Sequence, residues 1–133
     1  MISSIVALYL GTWKCDRPSV DSGYHTRLSV TQSSDGWLDF VDDGLGANRN
    51  RGMIFSIAPS GSSWTLRSVD FGYPLTGAWE NGTIVFAPAT PNPRRFQLTL
   101  SNDNRTMSFV EFSKNGFDMD RQYRTTTCTR ESV

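Results

Sequence analysis

The sequence predicts an all-β protein that forms a single antiparallel up-and-down β-barrel of about 8–10 strands. Turn signals recur at short intervals along the 133 residues, and most segments between them alternate polar with apolar side chains. No window shows the 3.6-residue apolar period of a helix. Short connections pair sequence neighbours as antiparallel hairpins, and a long meander exposes its edges unless it closes into a barrel. A two-sheet sandwich is the alternative.

The elements follow in chain order from these signals within one predicted domain, residues 1–133. The opening "ISSIVALY" favours a short helical turn that plugs one end of the barrel. The Asn-Gly pairs in "ENGT" and "KNGF" suit tight hairpins, because both residues tolerate positive φ. The predicted strands are 10–17, 23–33, 37–42, 52–58, 63–70, 74–80, 83–88, 94–101, 105–113 and 116–129.

Composition and charge narrow the classes of partner. Lys plus Arg and Asp plus Glu are equal at 13 each, so no basic surface for nucleic acid is expected. The longest apolar run, "IVALYL", is too short to span a membrane and lacks the basic segment of a signal peptide. The sequence is also consistent with a mature protein whose signal peptide was removed. It therefore leaves the localisation open between cytoplasmic, periplasmic and secreted. We expect a monomer or a homodimer.

The two cysteines lie on the two strands that are expected to meet when the barrel closes. Cys15 lies on the first predicted strand and Cys128 on the last, and these strands become neighbours when an up-and-down barrel closes. A disulfide between them would staple the seam. Two buried free thiols are the alternative, favoured if the protein is cytoplasmic. A cysteine nucleophile is disfavoured, because nothing nearby supplies a base.

Several short motifs resemble one superfamily. Gly11-Thr12-Trp13, the meander, and the pattern "LGTWKC…DGWL…GAWENGTIVF…YRTTTC" resemble the calycins, in particular small bacterial lipocalin-like domains. The resemblance spans nearly the whole chain, although its motifs are short, and a weaker one links it to fatty-acid-binding proteins. It implies that Trp13 lies at the closed end under an arginine of the last strand, Arg124 or Arg130. Trp13, that arginine and the two cysteines are then structural.

Departures from the superfamily bear on cofactors. The segment "DRPSVDSGY" is too short and too rich in Pro, Ser and Gly for the two-helix lid of fatty-acid-binding proteins. Haem-binding barrels of the nitrobindin type extend the tryptophan motif with glycines and supply a late histidine. Here Lys14-Cys15 take the place of those glycines, and the only histidine is His25. We therefore expect no haem and no other cofactor, and no metal site.

The last strand carries the ligand hypothesis. Phe117, Met119, Arg121 and Tyr123 share one face by the two-residue alternation, and the two apolar members suggest that this face is inward. Arg121 and Tyr123 then resemble the carboxylate clamp of fatty-acid-binding proteins, since a guanidinium grips a carboxylate with two hydrogen bonds. The alternative is that Arg121 forms a salt bridge with a carboxylate such as Glu111.

Large apolar side chains supply a candidate lining for a cavity that takes a hydrophobic small molecule. The same residues fit an ordinary packed core, and a barrel of about eight strands allows both. The candidates are Trp37, Phe40, Met53, Phe55, Trp64, Trp79, Phe86, Phe96, Met107, Phe109 and Met119.

Three classes of function remain. The first is binding of a small apolar or amphipathic ligand, one that carries a carboxylate if the clamp forms. The second is a cofactor-independent cyclase, isomerase or lyase in the same cavity, with Glu111, Tyr123 or His25 as the acid or base. Glu111 shares the parity of Met107 and Phe109, and burial raises a carboxyl pKa into a useful range. The third is a filled barrel that acts through its surface.

Overall fold

The computed structural model describes residues 2–16, 25–42, 52–68, 71–88, 95–112 and 122–132. Within these ranges, one helix precedes eleven strands, which confirms the all-β class. The elements are α1 (Ile2–Tyr9), β1 (Gly11–Asp16), β2 (His25–Gln32), β3 (Leu38–Asp42), β4 (Gly52–Ser60), β5 (Ser63–Ser68), β6 (Phe71–Gly77), β7 (Trp79–Glu80), β8 (Thr83–Phe86), β9 (Phe96–Leu100), β10 (Thr106–Phe112) and β11 (Gln122–Ser132).

All eleven strands form one antiparallel sheet in the order β6-β5-β4-β3-β2-β1-β11-β10-β9-β8-β7. The first and last strands are neighbours, as an up-and-down barrel requires. The opposite edges meet through a bridge between Thr76 and Ala87, whose backbone groups exchange two hydrogen bonds of 2.9 Å. The sheet is therefore a nearly closed barrel, and the sandwich alternative is wrong.

A close backbone approach accompanies this closure at Gly77, the last residue of β6. A Cβ atom on Gly77 would lie 2.3 Å from the carbonyl oxygen of Val85 on β8. Only glycine lets the two strands come this near. The absence of a side chain at Gly77 therefore allows the sheet to close between β6 and β8.

We call the end of the barrel that carries α1 the helix end. Because the strands run antiparallel, every second connection returns to this end, and the turns found there are 33–37, 61–62, 81–82 and 101–105. Asn81 and Gly82 have φ values of 52° and 88°, which suit the tight Asn-Gly hairpin that the sequence predicts. The other predicted Asn-Gly turn, at 114–117, lies outside the described residues. The opposite end of the barrel, where Asp42 and Glu111 lie, is the far end.

The alternation of side chains places one face of each strand in the core. On β3 and β9 the buried and partly buried residues strictly alternate. Val6 and Tyr9 of α1 are buried against the same core, so the helix covers the helix end. The predicted plug is therefore present, as a helix of 8 residues.

Most predicted strand bounds differ from the structure by a few residues, and two of the differences matter for the fold. The strand predicted at 74–80 is two strands, β6 and β7, because Ala78 interrupts the pairing where the sheet closes. The last strand is predicted at 116–129 but extends to Ser132, so that it includes Arg130. Residues 116–121 of that prediction lie outside the described residues.

Candidate functional site

Trp13 and Arg130 form the centre of the helix end. Trp13 is fully buried, and the Arg130 guanidinium carbon lies 4.1 Å from the centroid of its ring, a cation–π distance. The two residues are direct partners in the β1–β11 register. Of the two arginines that the sequence offers, Arg130 makes this contact. The backbone of Arg124 pairs with Glu111 toward the far end, and its side chain lies outside the described residues.

Arg130 also caps the C-terminus of α1. Its Nη1 donates to Leu10 O at 2.7 Å, its Nη2 donates to Leu8 O, and its Nε donates to Asn104 O at 2.9 Å. The last carbonyls of a helix have no partner within the helix, and α1 has no basic residue in its last turn. β11 supplies the missing cation, and burial lowers the pKa of Arg130 by removing water from the guanidinium.

Tyr9 ties the helix to two tryptophans. Its carbonyl oxygen accepts from Trp13 Nε1 at 3.1 Å, and its Oη accepts from Trp79 Nε1 at 3.1 Å. Burial raises the pKa of Tyr9 to about 12, partly offset by the hydrogen bond from Trp79. Trp79 therefore lies at the helix end, where it packs partly buried against the core, pairs with buried Ile84 and also lines a groove. That Trp79 contacts a ligand stays a prediction.

The cysteines form a disulfide across the seam. Cys15 and Cys128 are direct partners on β1 and β11, both side chains are fully buried, and their Cα atoms are 4.0 Å apart. The bond encloses a sequence separation of 113 residues. Of the two alternatives that the sequence leaves, the structure has the disulfide.

Four of the candidate lining residues pack against one another in the middle of the barrel. Phe55 stacks on Phe40 with ring centroids 4.3 Å apart and meets Phe96 edge-on at 4.9 Å. Phe109 lies 5.5 Å from Phe55 and 5.7 Å from Phe96. Such offset and edge-to-face pairs add stability beyond the area that they bury. We call Phe40, Phe55, Phe96 and Phe109 the aromatic cluster.

The remaining lining candidates divide into three groups. Trp64, Phe86 and Met107 are buried in the core. Trp37 lies on the outer face, where the guanidinium carbon of exposed Arg67 is 3.9 Å from its ring centroid. Its neighbour Leu38 takes the inward position, so the prediction that Trp37 lines the interior is wrong. The side chains of Met53 and Met119 lie outside the described residues.

On β10 and β3, the inward side chain nearest the far end is the least buried of its row. Along β10, Met107 is fully buried, Phe109 is 4 % exposed and Glu111 is partly exposed. Along β3, Phe40 is fully buried and Asp42 is 6 % exposed. The inward position predicted for Glu111 agrees with this row. The Glu111 residue already interacts with another part of the protein. It is therefore not the unpaired carboxyl that the enzyme hypothesis requires.

The predicted clamp and two of the candidate acids involve side chains that lie outside the described part of the chain. Arg121 lies outside the described residues, as do the side chains of Tyr123 and His25. The register between β10 and β11 shifts by one residue here, because Arg124 pairs with Glu111 whereas Gln122 pairs with Phe112. This bulge leaves Tyr123 as an extra residue and interrupts the alternation on which the clamp hypothesis depends.

Comparison with known proteins gives no assignment: no family model, curated protein or solved structure matches the chain. Across the described ranges, no cluster of three His, Cys, Asp or Glu side chains could hold a metal ion. None of the helices described is long and apolar enough to cross a membrane. The architecture is compatible with a calycin-like fold.

Sequence reasoning missed the capping role of Arg130 and the groove that Trp79 lines beside α1. A signal for the first was available. If Cys15 pairs with Cys128 in an antiparallel seam, then two residues along each strand Trp13 must pair with Arg130, as the structure has it. The groove carries no such signal, because it forms where α1 meets two separate hairpins.

Proposed function

We propose that this chain is a calycin-like barrel that binds a small apolar or amphipathic molecule in its interior, at the far end. The nearly closed barrel and its helical plug support this proposal, because they leave one end covered by α1. A barrel of this size can hold one small ligand above its packed half. The aromatic cluster would form the floor of the site.

The increase in exposure along β10 is the observation that carries the proposal. The row starts at fully buried Met107, passes through the 4 % exposed ring of Phe109 and reaches the partly exposed Glu111. Accessible surface on an inward row requires space beside it. Phe109 and Phe96 are already nearly buried, so the gain would come chiefly from the apolar surface of the ligand, worth about 25 cal/mol for each Å² removed from water.

The polar residues at the far end bear on the head group. Asp42 is buried there and Glu111 is partly buried, so two carboxylates lie at this end, and Thr126, which pairs with Phe109 of the aromatic cluster, is also buried. This arrangement favours a ligand whose polar part donates hydrogen bonds. A ligand with its own carboxylate would need the predicted clamp of Arg121 and Tyr123 to offset the repulsion.

Native mass spectrometry of freshly purified protein, followed by extraction, tests for a bound molecule. Binding of the neutral fluorophore N-phenyl-1-naphthylamine then locates the site. Phe109→Trp enlarges a ring at the proposed floor and should weaken binding at least tenfold. Val85→Trp is the matched control, because Val85 is 43 % exposed on the outer face, and should bind as the unmodified protein does. Equal affinity in both variants, in folded protein, would refute the proposal.

A surface function is the second candidate, and the aromatic cluster itself favours it. The ring contacts of 4.3–5.7 Å leave little room in the middle of the barrel. A protein that carries no molecule and binds no apolar probe would support this candidate. The cyclase, isomerase or lyase hypothesis would need a compound that leaves the protein chemically altered, and no described contact favours it.

A further inference from the structure

We propose that the groove between α1 and the β7–β8 and β9–β10 hairpins binds a neutral, hydroxyl-rich molecule of about one sugar ring. This site lies at the helix end, on the opposite side of the aromatic cluster from the interior site. It is therefore independent of the function proposed above, and either one can fail alone.

The groove is built by two hairpins that meet the helix. It has a volume of about 320 Å³, within the range of small-molecule sites. The hairpins are held together by a hydrogen bond of 2.8 Å from Leu100 N to Gly82 O, where a Cβ atom on Gly82 would lie 2.5 Å from Leu100 O. The lining residues are Leu8, Trp79, Asn81, Gly82, Leu100, Ser101, Asn102 and Asn104.

Three amide side chains line this groove. The side chains of Asn81 and Asn102 are exposed and that of Asn104 is partly exposed, so all three amides are accessible to a molecule in the groove. Each amide offers two donors and two acceptors, which matches hydroxyl groups that both donate and accept. Asn81 and Asn104 adopt positive φ values of 52° and 61°, so the hairpin turns fix the backbone from which these amides project.

The absence of charge in the lining argues for a neutral ligand. No lining residue is ionisable at neutral pH. The neighbouring guanidinium of Arg130 already donates to three carbonyl oxygens, including that of Asn104. The neighbouring carboxylate of Asp103 accepts from Ser101 Oγ at 2.7 Å and from Arg105 N at 3.1 Å, and these bonds lower its pKa.

Apolar surface completes the groove. Trp79 is partly buried, and its indole N–H is held by Tyr9 Oη, so the ring has a fixed orientation. Leu8 adds aliphatic surface beside it, whereas the Leu100 side chain is nearly buried and lies beneath the groove. A fixed aromatic ring next to polar side chains binds a molecule that has both apolar and polar faces without the cost of ordering the site.

Titration by ¹H–¹⁵N NMR with glucose, galactose, mannose and N-acetylglucosamine tests the proposal. With at least one neutral sugar, we expect the NMR signals of the Asn102 side-chain amide and the Trp79 indole to shift and reach saturation, with a dissociation constant in the millimolar range. Asn102→Ala should weaken that binding at least threefold. Gln32→Ala removes an exposed amide of β2 outside the groove and should leave it unchanged.

Three results would overturn the proposal. The first is the absence of saturable shifts with every neutral sugar. The second is tighter binding of glucuronate or glucosamine, which would show that charge decides recognition. The third is unchanged affinity in both Asn102→Ala and Asn81→Asp, the latter a variant that keeps a residue tolerant of positive φ.

Discussion

Replacement of Arg130 should weaken the fold more than any other single change of a partly exposed charged residue at the helix end. The side chain donates three hydrogen bonds to backbone carbonyls and stacks on Trp13. At roughly 1 kcal/mol for each hydrogen bond and about 0.5–1 kcal/mol for the cation–π contact, Arg130→Met should cost about 3–4 kcal/mol. We use the lower end of the usual energies for hydrogen bonds and cation–π contacts, because Arg130 is partly exposed and water can reach part of the site.

Arg130→Lys separates charge from geometry. An ammonium keeps the cation near the end of α1, but it cannot reach three carbonyls at once in the fixed arrangement of a guanidinium. We expect a loss of about 2 kcal/mol for the lysine variant, between the unmodified protein and Arg130→Met.

Urea denaturation followed by tryptophan fluorescence measures both losses. The control is Arg27→Ala, which removes the exposed ion pair with Glu131 at 3.3 Å and should cost less than about 1 kcal/mol. The reasoning fails if Arg130→Met is as stable as the control. It also fails if Arg130→Lys equals the unmodified protein, because charge alone would then suffice.

Three other predictions concern stability. The double variant Cys15→Ala/Cys128→Ala should lose about 4–5 kcal/mol in chemical denaturation, because the disulfide spans 113 residues; a loss under 1 kcal/mol would contradict this. The pKa of Tyr9 in the folded protein is about 12, above its ordinary value of 10.0. The free energy of unfolding should therefore be unaffected by this group below pH 10 and should fall as the pH rises from 10 toward 12. Tyr9→Phe should remove that fall in pH-dependent unfolding. Gly77→Ala should cost about 2 kcal/mol or more because of its 2.3 Å backbone clash, whereas Gly61→Ala has open space and should lose only about 1 kcal/mol through its φ of 64°.

The fold could be predicted from the sequence because its signals are local. Alternation along "RFQLTLS" and "TMSFVEF" gives β9 and β10, and Asn81-Gly82 gives the hairpin between β7 and β8. Closure follows from the cost of exposed edges in a long meander. The break between β6 and β7 was missed because it depends on contact with β8, which no local pattern encodes.

The site was predicted less well, since two-residue parity identifies an inward row only while the strand stays regular. It placed Phe109 and Glu111 on the same inward row, as in the structure, because β10 is regular between them. Around Tyr123 the bulge interrupts the alternation, and at Trp37 the residue lies before the strand begins. Aromatic character alone did not distinguish Trp37 and Trp79 from the aromatic cluster.

The most direct test of the interior site is ¹H–¹⁵N NMR of the protein titrated with N-phenyl-1-naphthylamine. If a ligand occupies the far end, the backbone amides of Phe96, Phe109 and Thr126 should shift, and those of Tyr9 and Trp13 should not. Shifts confined to the helix end, or none at any concentration of the probe, would contradict the proposal that the barrel binds its ligand above the aromatic cluster.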